Sequence, residues 1–485
     1  MRPTITLLDF VNAHLSGFSR SELKYLIKKT SVKDPSAFQM ATYRAGMWDG
    51  NIPFIDEEGF TYVVLVDRIV SIMDETYNKS VDIIDERPHV DTSNITIDEN
   101  FLLQETGKTL RDYQVETVNL TFQHQRGIAQ LATNAGKTLI CMAISKAADH
   151  LMRSVVIVPS ELLLNQTYED YKKSDLSVLK LTPKIAPKNR CSEVLGHRHI
   201  IVTETMFTNA IDCFSSVNEP FILIKDETHR FGDVLAEALR FDMPNAPIRL
   251  GLTGTMPTCK LKSTKIKCHL GGDVLKKVMP KHLIDMKTSD EPRITMIKTL
   301  DSEVSSLMDE YVAMGAYDWS MEQKYLLDNK ARVKEIGDFI LSLPKTNTLV
   351  LCAAAFGVEL GTYMNLPFIY EETSVDNRAK LFDTFNHSQT DALVLASYGT
   401  ASTGISVNDI FRIVLVDVGK NEAQVIQSIG RGIRKSTHQS HVDIVDIYAG
   451  DFKYSIKHKQ ERVKLYKKYQ YEFIESDEVI KIKHV

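Results

Sequence analysis

The chain has 485 residues, enough for roughly three domains, and its 43% hydrophobic and 25% charged residues are those of a globular protein, which excludes a disordered or fibrous class. No run approaches the ~20 apolar residues of a membrane span, and Met1-Arg2-Pro3-Thr4 opens without the apolar core of a signal peptide, so a cytoplasmic protein is expected. The net charge of −5 neither advertises nor excludes nucleic acid, since a local basic groove suffices for phosphate contacts.

Six cysteines stand at 141, 191, 213, 259, 268 and 352, without a Cys-x-x-Cys pair. Cys259, Cys268 and His269 come nearest to a metal cluster, but their spacing fits no zinc pattern. Reduced, structural thiols are expected.

Residues 1–95 form a first segment without nucleotide motifs. Inside it, Tyr43-Arg44-Ala45-Gly46-Met47-Trp48-Asp49-Gly50 sets two glycines around one of only two tryptophans. This reads as a tight turn presenting an aromatic ring. Trp48 either packs into a small core or, with Arg44, stacks on a nucleic-acid base. Residues 85–100 are polar, include Pro88 and read as a linker.

From 100 to 285 apolar runs alternate with amphipathic ones. Strands are expected at Ile128–Leu131, Ser154–Val158, His199–Thr203, Phe221–Asp226 and Ile248–Leu252, with helices at Leu139–Leu151 and Glu161–Lys172. That alternation means a parallel sheet covered on both faces. Residues 286–335 are charged and helical in pattern, without a strand run, and read as a connector. Alternation restarts over 336–485. Strands are expected at Thr348–Ala353, Phe368–Glu371, Ala392–Ala396, Arg412–Asp417 and Val442–Tyr448, with helices at Ser374–Phe385 and Asn421–Arg434. The end, Ser455 to Phe473, reads as a Lys- and Tyr-rich helix with a solvated basic face or a phosphate-contacting one.

Three stretches carry chemistry. Leu131-Ala132-Thr133-Asn134-Ala135-Gly136-Lys137-Thr138 lies between a short strand and a helix. There, backbone N–H groups and a helix N-terminus converge on a phosphate, Lys137 adds a point charge, and the Thr138 hydroxyl ligates Mg²⁺. The strict pattern fails at Leu131, where a glycine is usual. About 90 residues on, an apolar strand ends in Asp226-Glu227-Thr228-His229. One carboxylate is needed to hold the magnesium shell and one to orient the attacking water. Third, Gln427-Ser428-Ile429-Gly430-Arg431-Gly432-Ile433-Arg434 places two arginines three apart on one helix face. An arginine aimed at a γ-phosphate stabilises transition-state charge and is worth about 10³–10⁵ in rate. If the second α/β unit supplies it, hydrolysis depends on closure of two units, the physical basis of a motor.

The ordered set resembles a superfamily two helicase over residues 100–450. Leu110-Arg111-Asp112-Tyr113-Gln114 resembles the adenine-reading segment, with Gln114 as the base contact and Arg111 beside it. Leu131–Thr138 resembles motif I, with Thr133, Asn134, Ala135, Gly136, Lys137 and Thr138 as the nucleotide loop. Val158-Pro159-Ser160 resembles motif Ia and Val202-Thr203-Glu204-Thr205 motif Ib. Asp226–His229 resembles the DExH form of motif II, and Thr253-Gly254-Thr255 motif III. Ala396–Ser406 resembles motif V, including Thr403 and Gly404, and Gln427–Arg434 motif VI. The likeness is greatest to the bacteriophage UvsW-type helicases, whose motif I also lacks the first glycine and whose N-terminal region carries a turn similar to Tyr43–Gly50. Asn134, Ala135 and Thr228 depart from the commoner pattern without disturbing metal or phosphate chemistry.

The resemblance implies an α/β fold of two tandem RecA-like parallel-sheet lobes behind a small N-terminal α+β domain. It implies ATP and Mg²⁺ as cofactors, with Thr138 and Asp226 at the metal. Lys137, Asp226, Glu227, Gln427, Arg431 and Arg434 would be catalytic, and His229, Thr253, Thr255 and Gly404 coupling residues. Backbone contacts would come from Ser160, Thr205 and Thr403, joined by Trp48 and Arg44. The implied activity is ATP-driven work on branched DNA: branch migration, fork regression and R-loop or RNA–DNA unwinding, in recombination and DNA repair. Single-stranded or branched DNA is the expected partner, with RNA–DNA hybrid as a further class, and a monomer is expected. The alternatives are an RNA helicase, the motor subunit of a restriction-type complex and a binding protein with a decayed motor.

Overall fold

A computed structural model describes residues 2–315, 317–387, 391–402, 409–433 and 441–484. The chain divides into two compact units, Met1–Leu131 with Gly136–Lys277, and Ala132–Ala135 with Val278–Val485.

The first unit begins with the strands β1 (Thr4–Leu7), β2 (Asn12–Ser16), β3 (Val32–Lys33), β4 (Asn51–Ile52), β5 (Phe60–Tyr62) and β6 (Asp82–Asp85). Four of them form a sheet in the order β5-β2-β1-β6, and β3 and β4 form a separate antiparallel ribbon. Alternation along β1 puts Ile5 and Leu7 inward and Thr4 and Thr6 outward, and the same holds for Ala13 and Leu15 of β2. The helix Arg20–Thr30 starts at a capping box, in which Ser19 accepts from the Glu22 N–H and Glu22 accepts from Ser19 N at 2.8 Å. The α+β character expected of residues 1–95 is therefore present. Its core of Ile5, Leu15, Ile69 and Met73 is continuous with Leu261 and Cys268 of the following domain.

The expected linker over 85–100 is a fixed strap. Thr92 is buried and its hydroxyl donates to Phe122 O at 2.7 Å, while Ile97 N donates to Asn119 Oδ1 at 2.9 Å. The strap reads as linker because it is polar, yet Thr92 serves a carbonyl of the helix Asp112–His124 and Asn119 of that helix accepts from the strap's backbone.

Seven strands follow: β7 (Arg126–Leu131), β8 (Arg153–Val158), β9 (Val178–Leu181), β10 (His199–Thr203), β11 (Phe221–Lys225), β12 (Ile248–Thr253) and β13 (Val274–Val278). Their order is β13-β7-β12-β11-β8-β10-β9. The pairs from β7 through β9 are parallel. β8, β11 and β12 are buried along their whole length, which is why they read as unbroken apolar runs. Lysines interrupt the outer strands β9 and β13, which hid them from the pattern.

The second unit carries β14 (Glu291–Leu300), β15 (Thr348–Cys352), β16 (Phe368–Ile369), β17 (Leu393–Ser397), β18 (Arg412–Val416), β19 (His441–Ala449) and β20 (Glu472–Lys481). The order is β16-β17-β15-β18-β19-β14-β20, parallel throughout. The connector expected over 286–335 is corrected by β14, which lies inside this sheet between β19 and β20. Its sequence, Glu-Pro-Arg-Ile-Thr-Met-Ile-Lys-Thr-Leu, alternates charge with apolar residues, so charge masked a half-buried strand. The helices Ser302–Ala313 and Trp319–Asp328 occupy the rest of that segment.

The basic C-terminal helix, Lys453–Lys468, is held by buried groups on one face. Arg462 donates to both oxygens of Asp446 at 2.9 Å, and the Tyr466 hydroxyl donates to Asp446 at 2.8 Å. The chain continues past this helix into the edge strand β20, whose Glu-Ser-Asp-Glu stretch hid it.

Cys191 and Cys213 are disulfide-bonded, which corrects the expectation that all six thiols are reduced. Their Cα atoms lie 4.6 Å apart on neighbouring helices, within bridging reach. Among the described residues no helix is long and apolar enough to cross a membrane.

Candidate active site

In open parallel sheets, ligands bind beyond the carboxyl ends of the strands. The motif residues of the first unit sit there. β7 runs into the 132–136 loop, β11 into Asp226 and Glu227, and β12 ends at Thr253. Ser160 follows β8, and Thr205 follows β10.

Gly136, left-handed at φ +75°, starts the helix Lys137–Ala147. The Lys137 ammonium lies 2.5 Å from Glu227 Oε1 and 3.2 Å from Asp226 Oδ1. Burial favours the neutral amine, yet the two carboxylates outweigh it and raise the lysine pKa above its ordinary value. Burial likewise works to raise Glu227, and Lys137 and His229 overcome it, so this carboxyl is held well below the usual range. Both ions are therefore charged at neutral pH.

The acidic corner is rigid. Glu227 is left-handed at φ 49°, an unusual conformation for a residue with a side chain, and its N–H donates to Asp226 Oδ1 at 2.8 Å. The buried Thr228 hydroxyl bridges strand ends, with Lys225 O at 3.0 Å and Leu252 O at 2.9 Å. His229 Nδ1 lies 3.3 Å from Glu227 Oε2 and 3.2 Å from Thr253 Oγ1. Thr253 in turn donates to Thr255 O at 2.7 Å. A continuous polar path thus joins the carboxylate to Thr253 at the end of β12 and Thr255 just beyond it.

Gln114 is buried, with its Oε1 accepting from Arg111 N at 2.8 Å. Its amide nitrogen lies where a β-carbon on Gly136 would come within 2.3 Å. The segment expected to read adenine therefore sits directly against Gly136. Arg111 donates to the Tyr113 hydroxyl at 2.6 Å.

The loop residues Thr133, Asn134 and Ala135 cluster with the second unit. Asn134 Nδ2 donates to Thr288 O and Ser289 Oγ, both at 3.1 Å, and Thr133 leaves room only for hydrogen at Gly430. Gln427 is buried and Arg431 half-buried on the helix Glu422–Gly432. Arg434, Thr403 and Gly404 lie outside the described residues.

Ser160 and Thr203 each cap the helix that follows, and Thr205 is exposed. In the N-terminal turn Arg44 is exposed. Trp48 is half-buried, its Nε1 donating to Asn51 O at 2.9 Å.

The sequence pattern does not single out Lys225, which ends β11 directly before the acidic pair. It is fully buried, donates to Asp226 O at 2.7 Å and lies 3.5 Å from Glu204. Burial pulls its pKa down against the pull of Glu204. A lysine ending an apolar strand directly before an acidic pair was the available signal.

Among the described residues no cluster of three His, Cys, Asp or Glu could hold a metal alone. Mg²⁺ needs no such cluster, since it keeps several waters and takes ligands from phosphate, and Asp226 and Thr138 are the residues expected beside it.

Comparison with known proteins agrees with this arrangement. The family model described as type III restriction enzyme, res subunit, matches residues 107–258, and the helicase conserved C-terminal domain matches 327–436. The ATP-dependent DNA helicase uvsW of Enterobacteria phage T4 is 22% identical over 442 residues, spanning 84% of this chain and 82% of that protein. The DNA 3′-5′ translocase XPB2 of Sulfurisphaera tokodaii is also 22% identical, over 72% of this chain and 84% of that protein. Among solved structures, a fragment assigned to an HsdR subunit of a type I restriction enzyme from Vibrio vulnificus shares the fold. Its TM-score is 0.58 at 17% identity, covering 80% of this chain and 72% of that one.

Proposed function

We propose that this chain, a superfamily two helicase of the DExH type, is an ATP-driven motor that remodels branched DNA. The observation that carries the reading is the Lys137–Asp226–Glu227 constellation beyond the ends of β7 and β11, 2.5 and 3.2 Å across. It supplies one cation for phosphate oxygens, one carboxylate for a metal shell and one to orient water.

In this reading Lys137 leaves its carboxylates for the β- and γ-phosphate oxygens. The N–H groups of the 133–136 loop and of Thr138 hold the same phosphates. Gln114, with Arg111, reads the adenine. Magnesium, when bound with the nucleotide, neutralises charge on the phosphate oxygens, and Thr138 and Asp226 are the residues that would hold it. Glu227 orients the attacking water, with its geometry fixed by Thr228 and the His229 ring. Gln427, Arg431 and Arg434 serve the transition-state charge. The His229–Thr253–Thr255 path, with Gly404, passes nucleotide state to the nucleic-acid groove. Ser160, Thr205 and Thr403 contact backbone there, which makes the grip independent of sequence.

The test is ATPase stimulation by single-stranded DNA, duplex, four-way junction, R-loop and RNA side by side. Junction or R-loop should stimulate above linear duplex. Stimulation by RNA alone would transfer the assignment to an RNA helicase. The type III restriction match supports a second reading, the motor of a restriction complex. In that case duplex carrying a specific site would be the best activator.

A further inference from the structure

The two-stranded ribbon β3–β4 carries a feature that the nucleotide chemistry does not use. Its connecting segment, residues 34–50, turns three large apolar side chains toward solvent: Phe38 is 61% exposed, Met40 48% and Met47 75%. Monomeric proteins seldom gather such side chains on one small projection without a partner.

This projection is a built structure. Asp34 N donates to Gly50 O at 2.8 Å, Met40 N to Ala37 O at 2.9 Å, Arg44 N to Met40 O at 3.1 Å and Met47 N to Thr42 O at 2.9 Å. Trp48 acts as its strut, bonded to Asn51 O and set edge-on to Tyr43 at 6.5 Å. Gly50 is left-handed at φ +81°, and a β-carbon there would meet the Tyr43 ring at 2.9 Å. The tryptophan singled out in the sequence thus holds the knuckle, and the solvent-facing apolar groups are Phe38, Met40 and Met47.

The surroundings are basic. The exposed Arg44 is held beside Phe38, its Nε donating to Phe38 O at 3.0 Å, and the exposed Lys33 lies 5.3 Å over the Tyr43 ring. The helix Lys260–Leu270 packs against β3 and sends Leu261 into the N-terminal core. It carries Lys260 and Lys262 exposed. Of the two aspartates in the knuckle, Asp34 is engaged by Ser36 and Asp49 by Asn51. Apolar side chains at the tip with lysine and arginine beside them match a nucleic-acid branch, where bases lie exposed between phosphate backbones.

We infer that Phe38, Met40 and Met47 form an insertion knuckle that packs against the unpaired or terminal bases at a DNA branch, with Lys33, Arg44, Lys260 and Lys262 holding the adjoining phosphates. This deepens the proposed function and rests on it. Apolar side chains placed against bases unstack them without reading sequence, so the knuckle selects structure over sequence.

The test uses the full chain with Phe38→Ser, Met40→Ser and Met47→Ser combined, and separately Lys260→Glu with Lys262→Glu. The DNA is a four-way junction with 2-aminopurine at the crossover, alongside linear duplex of the same sequence. Wild type should raise 2-aminopurine emission on binding without ATP. The apolar triple variant should lose that rise and at least about fivefold of its junction affinity, while linear-duplex affinity and single-strand-stimulated ATPase stay as in wild type. The lysine variant should weaken both DNAs together and flatten the salt dependence. Unchanged junction affinity and emission in the triple variant, with an unchanged melting temperature, overturn the inference. So does a wild-type dimer that the triple variant dissolves without loss of junction binding, since the apolar tip would then be a self-association surface. Failure of every nucleic acid to stimulate wild-type ATPase would instead strike the motor reading on which the inference stands.

Discussion

The Lys137 ammonium and the Glu227 carboxylate, 2.5 Å apart, form an ion pair between the start of a helix and the end of the central strand β11. The pair holds both groups ionised, since each counters the burial that would otherwise neutralise the other. Glu227→Gln should therefore lower turnover by about 10²–10⁴, the usual worth of a positioned base. ATP affinity should hold or tighten, because Lys137 loses a competing anion. Single-turnover hydrolysis and a nucleotide titration on the same variant check this. Turnover near wild type would remove Glu227 from the reaction.

Gly136 is fixed by both backbone and neighbour. Its φ of +75° disfavours a side chain, and a β-carbon would come 2.3 Å from the Gln114 amide. Gly136→Ala should weaken ATP binding at least tenfold by pushing Gln114 aside. Gln114→Ala, which leaves the loop in place, should mainly erase the preference for ATP over GTP. Competition binding with both nucleotides separates the two effects. Equal loss of ATP and GTP in Gln114→Ala would make it a loop support only.

His229 touches both sides of a junction, 3.3 Å from Glu227 and 3.2 Å from Thr253. His229→Ala should leave ATPase within about tenfold, because Thr228, tied to Lys225 O and Leu252 O, still positions Glu227. Unwinding per ATP hydrolysed should collapse. Measuring both rates on one preparation decides it, and a parallel fall in the two would make His229 part of the hydrolytic machinery alone.

How far the sequence revealed this depended on burial. β7, β8, β11 and β12 announced themselves as apolar runs, and the residues at their ends, Lys137, Asp226 and Glu227, inherited that clarity. β14 and β20 mix charges into strand positions, so 286–335 read as a connector and the chain end as a helix. Gln114 was reachable only through the family likeness, because its contact with Gly136 is made by tertiary packing. Trp48 was noticed for its rarity, yet the apolar residues that face solvent beside it looked ordinary in sequence.

The C-terminal helix carries its anchor on the buried face and exposed lysines on the other. Arg462 and Asp446 are both buried and doubly bonded, and Arg462 also donates to Val418 O at 2.6 Å. Removing one partner strands the other charge, so Asp446→Asn should cost about 3–5 kcal/mol of second-unit stability. Outer-face changes such as Lys457→Ala and Lys464→Ala should stay within about 0.5 kcal/mol. Denaturant unfolding of both variants checks the contrast, and equal small losses would refute the anchoring role of Asp446.

His269 supplies a pH dependence. The ring is buried against Tyr62 at 5.2 Å and Phe231 at 5.4 Å, where the N-terminal sheet meets the helix Lys260–Leu270. Burial, reinforced by Arg249, Arg240 and Arg126, pushes its pKa down to about 4, against the Lys265 carbonyl that favours the charged form. In the unfolded chain it titrates near 6.5, so below that pH the unfolded state binds the extra proton and folding loses ground. The stability from keeping His269 neutral is complete above about pH 6.5 and is lost as pH falls through about 4, up to ~3 kcal/mol. His269→Gln cannot charge, so between pH 7.5 and 5 its melting temperature should fall less than that of wild type, even if it starts lower. Parallel falls in the two proteins would assign the acid sensitivity to other groups.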